Sequence, residues 1–233
     1  MQLFYTDQIF DQHAVFAHEE MKHLTHSLRK KEGDTIFFTD GKGFQYSGLL
    51  DAVSRHEAKV NIVSRLFFTQ NEPAFQLLIA PTKQHERIEL IVEKATEMGI
   101  QRITPVAVKH AERTSIRQDR LEKVAISAMK QSLQYHLPVI DPLTDFDTII
   151  KSPFDGLSLI GFCEGDDRQT LSQSLIKGRS ARCFIGPEGD FTEKELSKAL
   201  SAGFVKITLG QSRLRTETAA IFVCSAFKLI QEF

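Results

Sequence analysis

Cysteine is scarce in this chain of 233 residues: Cys163, Cys183 and Cys224 are an odd number, lie far apart and form no Cys-x-x-Cys pair. Neither a disulfide framework nor a structural zinc site can be assembled from them, so no metal is expected and a reducing, cytoplasmic compartment is. Long apolar runs are missing too. The longest, Leu77–Ala80 and Ala219–Cys224, fall far below the ~20 residues that span a bilayer. The stretch Met1–Phe10 carries Asp7 and no basic flank, unlike a secretory signal. Charge of one sign is not in excess, with 29 Lys and Arg against 30 Asp and Glu. Neither a Walker A sequence nor a Gly-x-Gly-x-x-Gly fingerprint is present. Ser127, Ser132 and Ser225 lack a nearby His and a Gly-x-Ser-x-Gly setting, which leaves nucleophilic hydrolysis without support.

What is present is an ordinary globular composition, 42% hydrophobic and 25% charged, which excludes a disordered chain, a collagen-like repeat and a pure coiled coil. The length exceeds one typical domain of about 100–150 residues. Two parts are expected, residues 1–70 and 74–233, joined by the linker Thr69-Gln70-Asn71-Glu72-Pro73. In the first, alternating runs (Thr35–Thr39, Ala58–Val63) flank the hairpin signal Asp40-Gly41-Lys42-Gly43, and one helical stretch, His18–Leu28, interrupts them. A small, mostly β domain follows from that pattern, most simply a barrel. Five of the eight histidines fall here, as surface or RNA-facing groups. In the second part, apolar strands at 75–80, 103–108, 157–162, 182–185 and 204–209 alternate with helices at 85–98, 119–135, 192–203 and 216–231. Ile88, Ile91, Val92, Ala95 and Met98 mark one helix face, Gly99 and Gly203 are helix stops, and Thr192-Glu193-Lys194-Glu195 is a capping box. That alternation predicts an α/β fold with a mainly parallel sheet covered on both faces.

Chemistry concentrates in two strand-to-helix loops, where parallel sheets bind ligands. Ile185-Gly186-Pro187-Glu188-Gly189-Asp190-Phe191 combines glycine freedom with a stiffening proline and presents backbone donors and acceptors to a flat polar ligand. Leu209-Gly210-Gln211-Ser212-Arg213-Leu214-Arg215-Thr216-Glu217-Thr218 opens a helix for which Thr216 is the expected N-cap. Arg213 and Arg215 oppose the helix dipole there, a cost that an anionic partner would offset. Between Arg102 and Lys130, seven basic residues face three acids, either as a surface for a polyanion or as a solvated helix face. Glu93 and Glu97 form a carboxylate pair or an i, i+4 ion-pair set with neighbouring cations. The cysteines read as small core residues.

Six segments in order, nearly spanning the chain, resemble the ribosomal RNA small subunit methyltransferase E family. They are His23–Arg29 with Gly33, Lys94–Gly99, Glu112-Arg113-Thr114, Lys130-Gln131-Ser132 before Leu137-Pro138, Ile185–Phe191 before Leu209-Gly210, and Leu214–Ala219. The resemblance implies an N-terminal PUA-like β-barrel, a SPOUT-type α/β domain with a C-terminal trefoil knot, a homodimer, and methylation of uridine N3 in 16S rRNA of the small ribosomal subunit with S-adenosylmethionine. It places Ile160, Glu164, Gly186, Glu188, Gly189, Leu209, Gly210, Leu214, Arg215 and Thr216 around the cofactor, with 160–164 as a third wall. Arg215 would stabilise the anion formed at N3. Glu217 or Glu97 would accept the proton or brace a loop. His23, Arg29, Lys30, Arg113, Arg117 and Gln131 would face RNA. Asp190 stands where the family loop usually ends in glycine, and Leu133-Gln134-Tyr135-His136 departs from the family pattern after Gln131-Ser132. Another SPOUT enzyme, acting on ribose or tRNA, and a non-catalytic RNA-binding module are the alternatives.

Overall fold

The computed structural model describes residues 2–54, 56–70, 72–165 and 167–232, without the side chain of His18. Asn71 of the expected linker, and Met1 and Phe233 at the ends of the two expected parts, lie outside the described residues. The chain divides into two compact units, one of residues 1–70 with 126–137, the other of 71–125 with 138–233. Residues 126–137, which the linear sequence assigns to the second part, thus cluster with the first.

The first unit contains β1 (Leu3–Tyr5), β2 (His13–Ala17), β3 (Thr35–Thr39), β4 (Phe44–Val53) and β5 (Glu57–Phe67) in one sheet of order β1-β3-β4-β5-β2. Where a barrel is expected, the ladder stops between β1 and β2. That gap is spanned instead by Val15 N–H to the Gln8 carbonyl (3.0 Å) and by Thr6 Oγ1 to the Val15 carbonyl (2.6 Å). Phe4, Phe16, Phe38, Leu24 and Val60 fill the core the sheet encloses. The expected helix at 18–28 changes character midway: α1 (His18–Lys22) passes into a π-helical turn, His23–Ser27, where Thr25 Oγ1 donates to the Met21 carbonyl at 2.9 Å. Such back-bonding competes for helical acceptors. In the 40–43 turn, Asp40 accepts from Lys42 N–H (2.9 Å) and from the Tyr46 hydroxyl (3.1 Å). Burial, with the Asp40 carboxylate beside it, pushes the Tyr46 pKa up to about 12. Residues 126–137 are fastened to this unit by the Lys130–Glu20 ion pair, by Leu137 N–H to the Gly41 carbonyl (2.8 Å) and by His136 Nε2 donating to the Phe68 carbonyl (2.7 Å).

The second unit is a parallel sheet of β6 (Phe75–Ile79), β7 (Arg102–Ala107), β8 (Val139–Ile140), β9 (Thr144–Asp145), β10 (Leu157–Gly161), β11 (Gln169–Thr170), β12 (Ala181–Ile185) and β13 (Val205–Thr208). Its order is β11-β13-β10-β12-β6-β7-β8, with β9 also on β7. Helices α2 (His85–Glu97), α3 (Gln118–Gln131), α4 (Phe146–Lys151), α5 (Leu171–Ser174), α6 (Glu193–Ser201) and α7 (Thr216–Glu232) complete the chain. Every residue of β12 is buried, as a central parallel strand covered on both faces requires. Around Phe184 the rings of Phe146, Phe191 and Phe204 stand 5.3, 5.6 and 5.5 Å away. Phe191 thereby anchors the end of the 185–191 loop in the core.

Local signals place several helix ends. Gly99 has φ +73°, with Gly99 N–H on the Thr96 carbonyl (2.9 Å) and Ile100 N–H on that of Ala95 (3.0 Å), a Schellman stop. Gly203 ends α6 in the same way, and Thr192 with Glu195 forms the expected capping box. α3 ends at Gln131 rather than at Tyr135, because Leu133 turns left-handed (φ +56°) and Gln134 N–H closes on the Met129 carbonyl at 3.0 Å.

Arg182 lies in the middle of β12 at 4% exposure, with no carboxylate partner among the described residues. Its guanidinium donates to Ser158 Oγ (2.8 Å), Ser152 Oγ (3.0 Å) and the Ser152 carbonyl (3.2 Å), between the rings of Phe154 and Phe204. Burial lowers its pKa. Arg182→Ala should lower unfolding free energy by about 2–4 kcal/mol, since it frees buried acceptors and removes two cation–π contacts. Arg182→Met, which keeps the apolar stem, should lose about half as much by urea denaturation.

Candidate functional site

β10, β12 and β13 run parallel, with β10 between the other two, so the segments leaving their carboxyl ends open on one edge of the second unit. These segments enclose a cavity of about 460 Å³, inside the range of small-molecule sites. Gly161, Phe162, Cys163 and Arg168 line it after β10, Gly186 to Glu188 and Asp190 after β12, and Leu209 to Thr216 after β13. Three arginines (Arg168, Arg213, Arg215) and two acidic residues (Glu188, Asp190) are among the residues that line it. That lining suits a ligand bearing both signs of charge and a flat polar ring.

Specific bonds hold the walls. The Thr216 hydroxyl, buried at the start of α7, donates to the Gly186 carbonyl at 3.1 Å. Thr216 is itself the first residue of α7 and Ala219 N–H closes on the Arg215 carbonyl (2.8 Å), so the N-cap expected at Thr216 falls on Arg215. Asp190 has φ +57° and accepts from Cys163 N–H (2.9 Å) and from Phe191 N–H (2.8 Å). Arg168 donates from Nη1 to the carbonyls of Cys163 (2.5 Å) and Phe162 (3.3 Å), and its buried Nε has no protein partner among the described residues. His110 Nδ1 lies 3.0 Å from the carbonyls of both Gly189 and Asp190, so that nitrogen carries the proton. A Cβ on Gly189 would come within 3.3 Å of His110, which accounts for a glycine there.

Seven of the ten residues assigned to the cofactor by resemblance line this cavity: Gly186, Glu188, Leu209, Gly210, Leu214, Arg215 and Thr216. Ile160 is fully buried among Leu78, Val106 and Phe184, and Glu164 and Gly189 lie outside the lining, although 161–163 between the ends of the third wall belong to it. Cys183 and Cys224 are buried, their pKa values raised by burial, but Cys163 is exposed on the cavity rather than in the core. Burial raises the Cys163 pKa, helped by Asp190 and opposed by Arg213.

Glu217 stands beside the cavity without lining it. Arg87 of α2 reaches it at 3.7 Å and also reaches Glu188 at 3.3 Å, while Glu217 Oε2 is buried and unpartnered among the described residues. Glu97 and Glu93 both pair with Lys94 (2.9 and 2.7 Å), as an i, i+3 and an adjacent contact rather than the expected i, i+4 set. Arg168 and Arg87 carry no signal in the sequence that marks them for this site. Arg168 follows a short acidic turn with no motif of its own, and the partners of Arg87 lie over a hundred residues away.

The candidate RNA residues divide between the units. His23 packs its ring 5.6 Å from that of Phe4, Arg29 and Gln131 are exposed, and Lys30 donates its N–H to the Leu24 carbonyl at 3.1 Å, all in the first unit. In the second, Arg117 is exposed without a carboxylate partner among the described residues, whereas Arg113 binds the Lys83 carbonyl and His85 Nε2, both at 2.6 Å. Of the seven cations from 102 to 130, Arg102, Arg120 and Lys130 are paired with Asp141, Glu89 and Glu20. Burial works to raise the Asp141 pKa, but the hydrogen bonds from Arg102 and Thr104 outweigh it and hold the carboxyl below its ordinary value.

The fold and the cavity are those of a two-part RNA methyltransferase. The family described as an RNA methyltransferase domain matches residues 70–228, and an RNA methyltransferase PUA domain matches 17–63. The chain belongs to the ribosomal RNA small subunit methyltransferase E family. A probable rRNA-methyltransferase from Porphyromonas gingivalis is 34% identical, with a TM-score of 0.92 over 99% of this chain and 98% of its own. The ribosomal RNA small subunit methyltransferase E of Neisseria gonorrhoeae, solved bound to S-adenosyl methionine, is 27% identical, with a TM-score of 0.86 over 99% and 98%. The Bacillus subtilis protein of that name is 25% identical across 89% of this chain and 86% of its own.

Replacing Thr216 by Val keeps its shape and deletes the donor to Gly186. A loss of about 1 kcal/mol is expected from chemical denaturation, the net worth of one such bond.

Proposed function

We propose that this chain transfers a methyl group from S-adenosylmethionine to N3 of a uridine in 16S rRNA of the small ribosomal subunit. The observation that carries the reading is the cavity itself, built from the segments after β10, β12 and β13 and lined by both signs of charge. S-adenosylmethionine fits that donor set: it bears a carboxylate, an ammonium, a sulfonium and a flat base, and the buried, unpartnered Arg168 Nε is a donor awaiting an acceptor. Gly186, Leu209, Gly210 and Leu214 would hold it through their backbones, with Glu188, Arg215 and Thr216 beside them. Gly189 acts one step away, through its carbonyl, which His110 holds. When bound, the cofactor supplies an electrophilic methyl group.

The protein's own task is to make N3 a nucleophile. That nitrogen is protonated at neutral pH; as its proton passes to solvent water, the conjugate base spreads charge onto two carbonyl oxygens. A fixed guanidinium suits this charge, and Arg215 on the cavity wall is assigned to it. Glu217 is assigned to bracing, because Arg87 engages it together with Glu188 and it does not reach the wall. Holding the uridine in line and dry supplies the remainder of the acceleration.

A knotted second unit and a homodimer belong to the same reading. The segment after β13 meets the loop after β12 at the Thr216–Gly186 bond, a contact that a knotted path would require. His23, Arg29, Lys30 and Gln131 on the first unit, with Arg113 and Arg117 on the second, would meet RNA phosphates and an unstacked base. Arg215→Ala should abolish N3-methyluridine in 16S rRNA, read by mass spectrometry of nucleosides from a complemented deletion strain. Its affinity for S-adenosylmethionine should stay within a few fold. Full methylation in that variant would remove Arg215 from the mechanism.

A further inference from the structure

Asp190 ties the walls after β10 and β12 together by its side chain, as Thr216 ties those after β12 and β13. One carboxylate oxygen accepts from the N–H of Cys163, in the segment after β10, and the other from the N–H of Phe191, in its own loop. Those two donors have no strand ladder to pair with, and the N–H of the buried Phe191 requires an acceptor. The backbone of Asp190 is left-handed, φ +57°, a conformation that glycine takes without strain and that an L residue adopts at a cost. Glycine, however, would bring no oxygen. Gly186 leaves the room the carboxylate occupies, since a Cβ there would stand 3.3 Å from Asp190 Oδ1 and 3.0 Å from the Phe191 ring. The Asp190 carbonyl is held as well, by His110. Arg213 stands near the same cluster, beside the Cys163 thiol.

We propose that Asp190 is a positioning residue of the cofactor cavity: its carboxylate fixes the spacing between the wall after β10 and the wall after β12. The proposal rests on the reading of the cavity as a site for S-adenosylmethionine. It assigns Asp190 to the walls rather than to the sulfonium, because both oxygens are engaged by backbone donors. Loss of the carboxylate therefore weakens the binding of any adenosyl ligand, cationic or neutral, to a similar extent.

Titration calorimetry of the full chain with S-adenosylmethionine, and separately with S-adenosylhomocysteine, tests this with Asp190→Asn and Asp190→Gly. Asparagine matches the size but turns an amide toward one of the two N–H donors. Glycine keeps the left-handed turn without strain, so that variant retains the fold. Both variants should bind both ligands about tenfold more weakly, the loss expected for charge-assisted bonds. In turnover, KM for S-adenosylmethionine should rise by a similar factor while kcat at saturation stays within about threefold. Wild-type affinity in both variants would overturn the proposal, as would a loss confined to the sulfonium ligand, which would mean direct electrostatic action. If the unaltered chain itself gives no heat with either ligand, the cofactor reading fails first and the positioning role falls with it.

Discussion

Three irregular segments that leave neighbouring parallel strands must be kept at one distance from each other, and a few polar bonds do this. Strands β10, β12 and β13 are held by ladder hydrogen bonds, but past their ends the chain has no ladder, and its N–H and carbonyl groups need other partners. Thr216 Oγ1 takes the Gly186 carbonyl, the Asp190 carboxylate takes Cys163 N–H, and Arg168 takes the carbonyls of Phe162 and Cys163. The Phe191 ring, locked among Phe146 and Phe184, anchors one of these segments in the core. A cavity walled by backbone groups follows from this arrangement, and with it a site able to read a nucleoside.

Charge in the protein is distributed more locally than its near-neutral total suggests. The basic run from 102 to 130 carries an excess of cations, yet Arg102, Arg120 and Lys130 are paired with carboxylates that lie far away in sequence. Three of its seven cations are thus neutralised by ion pairs, one from a strand and two from α3. Around the cavity, by contrast, Arg213 and Arg215 have no carboxylate partner among the described residues. Their charge near the start of α7 is therefore available to an anion, which gives a physical reason for two arginines at a position where the helix dipole disfavours them.

Features set by near neighbours along the chain are legible in the amino-acid sequence alone. The Thr192–Glu195 capping box, the stops at Gly99 and Gly203, and the strand at 181–185 need only a few adjacent residues and a period. The two loops of the cavity are legible as well, one from its glycines and proline between a buried strand and a capped helix, the other from two arginines beside a helix start. Features that depend on partners distant in the chain are not. Thr216 has the composition of an N-cap, but the helix begins one residue earlier than that reading requires, and its hydroxyl donates to the Gly186 carbonyl of another loop. Leu133 takes a left-handed turn that a leucine does not advertise, so α3 stops early. The helix α4, only Phe146–Lys151, is too short to show a period and exists because Phe146, Ile149 and Ile150 pack on the sheet. Arg87, which joins Glu188 to Glu217, reads in sequence as a surface residue of α2.

The central claim is that the segments after β10, β12 and β13 form the pocket of an adenosyl sulfonium. A crystal structure of the protein grown with S-adenosylmethionine tests it most directly. The account predicts density for the nucleoside between the Gly186–Asp190 loop and the Leu209–Arg215 loop, with a new acceptor on Arg168 Nε. Density for the compound elsewhere, or these loops unchanged and without it at saturating concentration, would contradict the account.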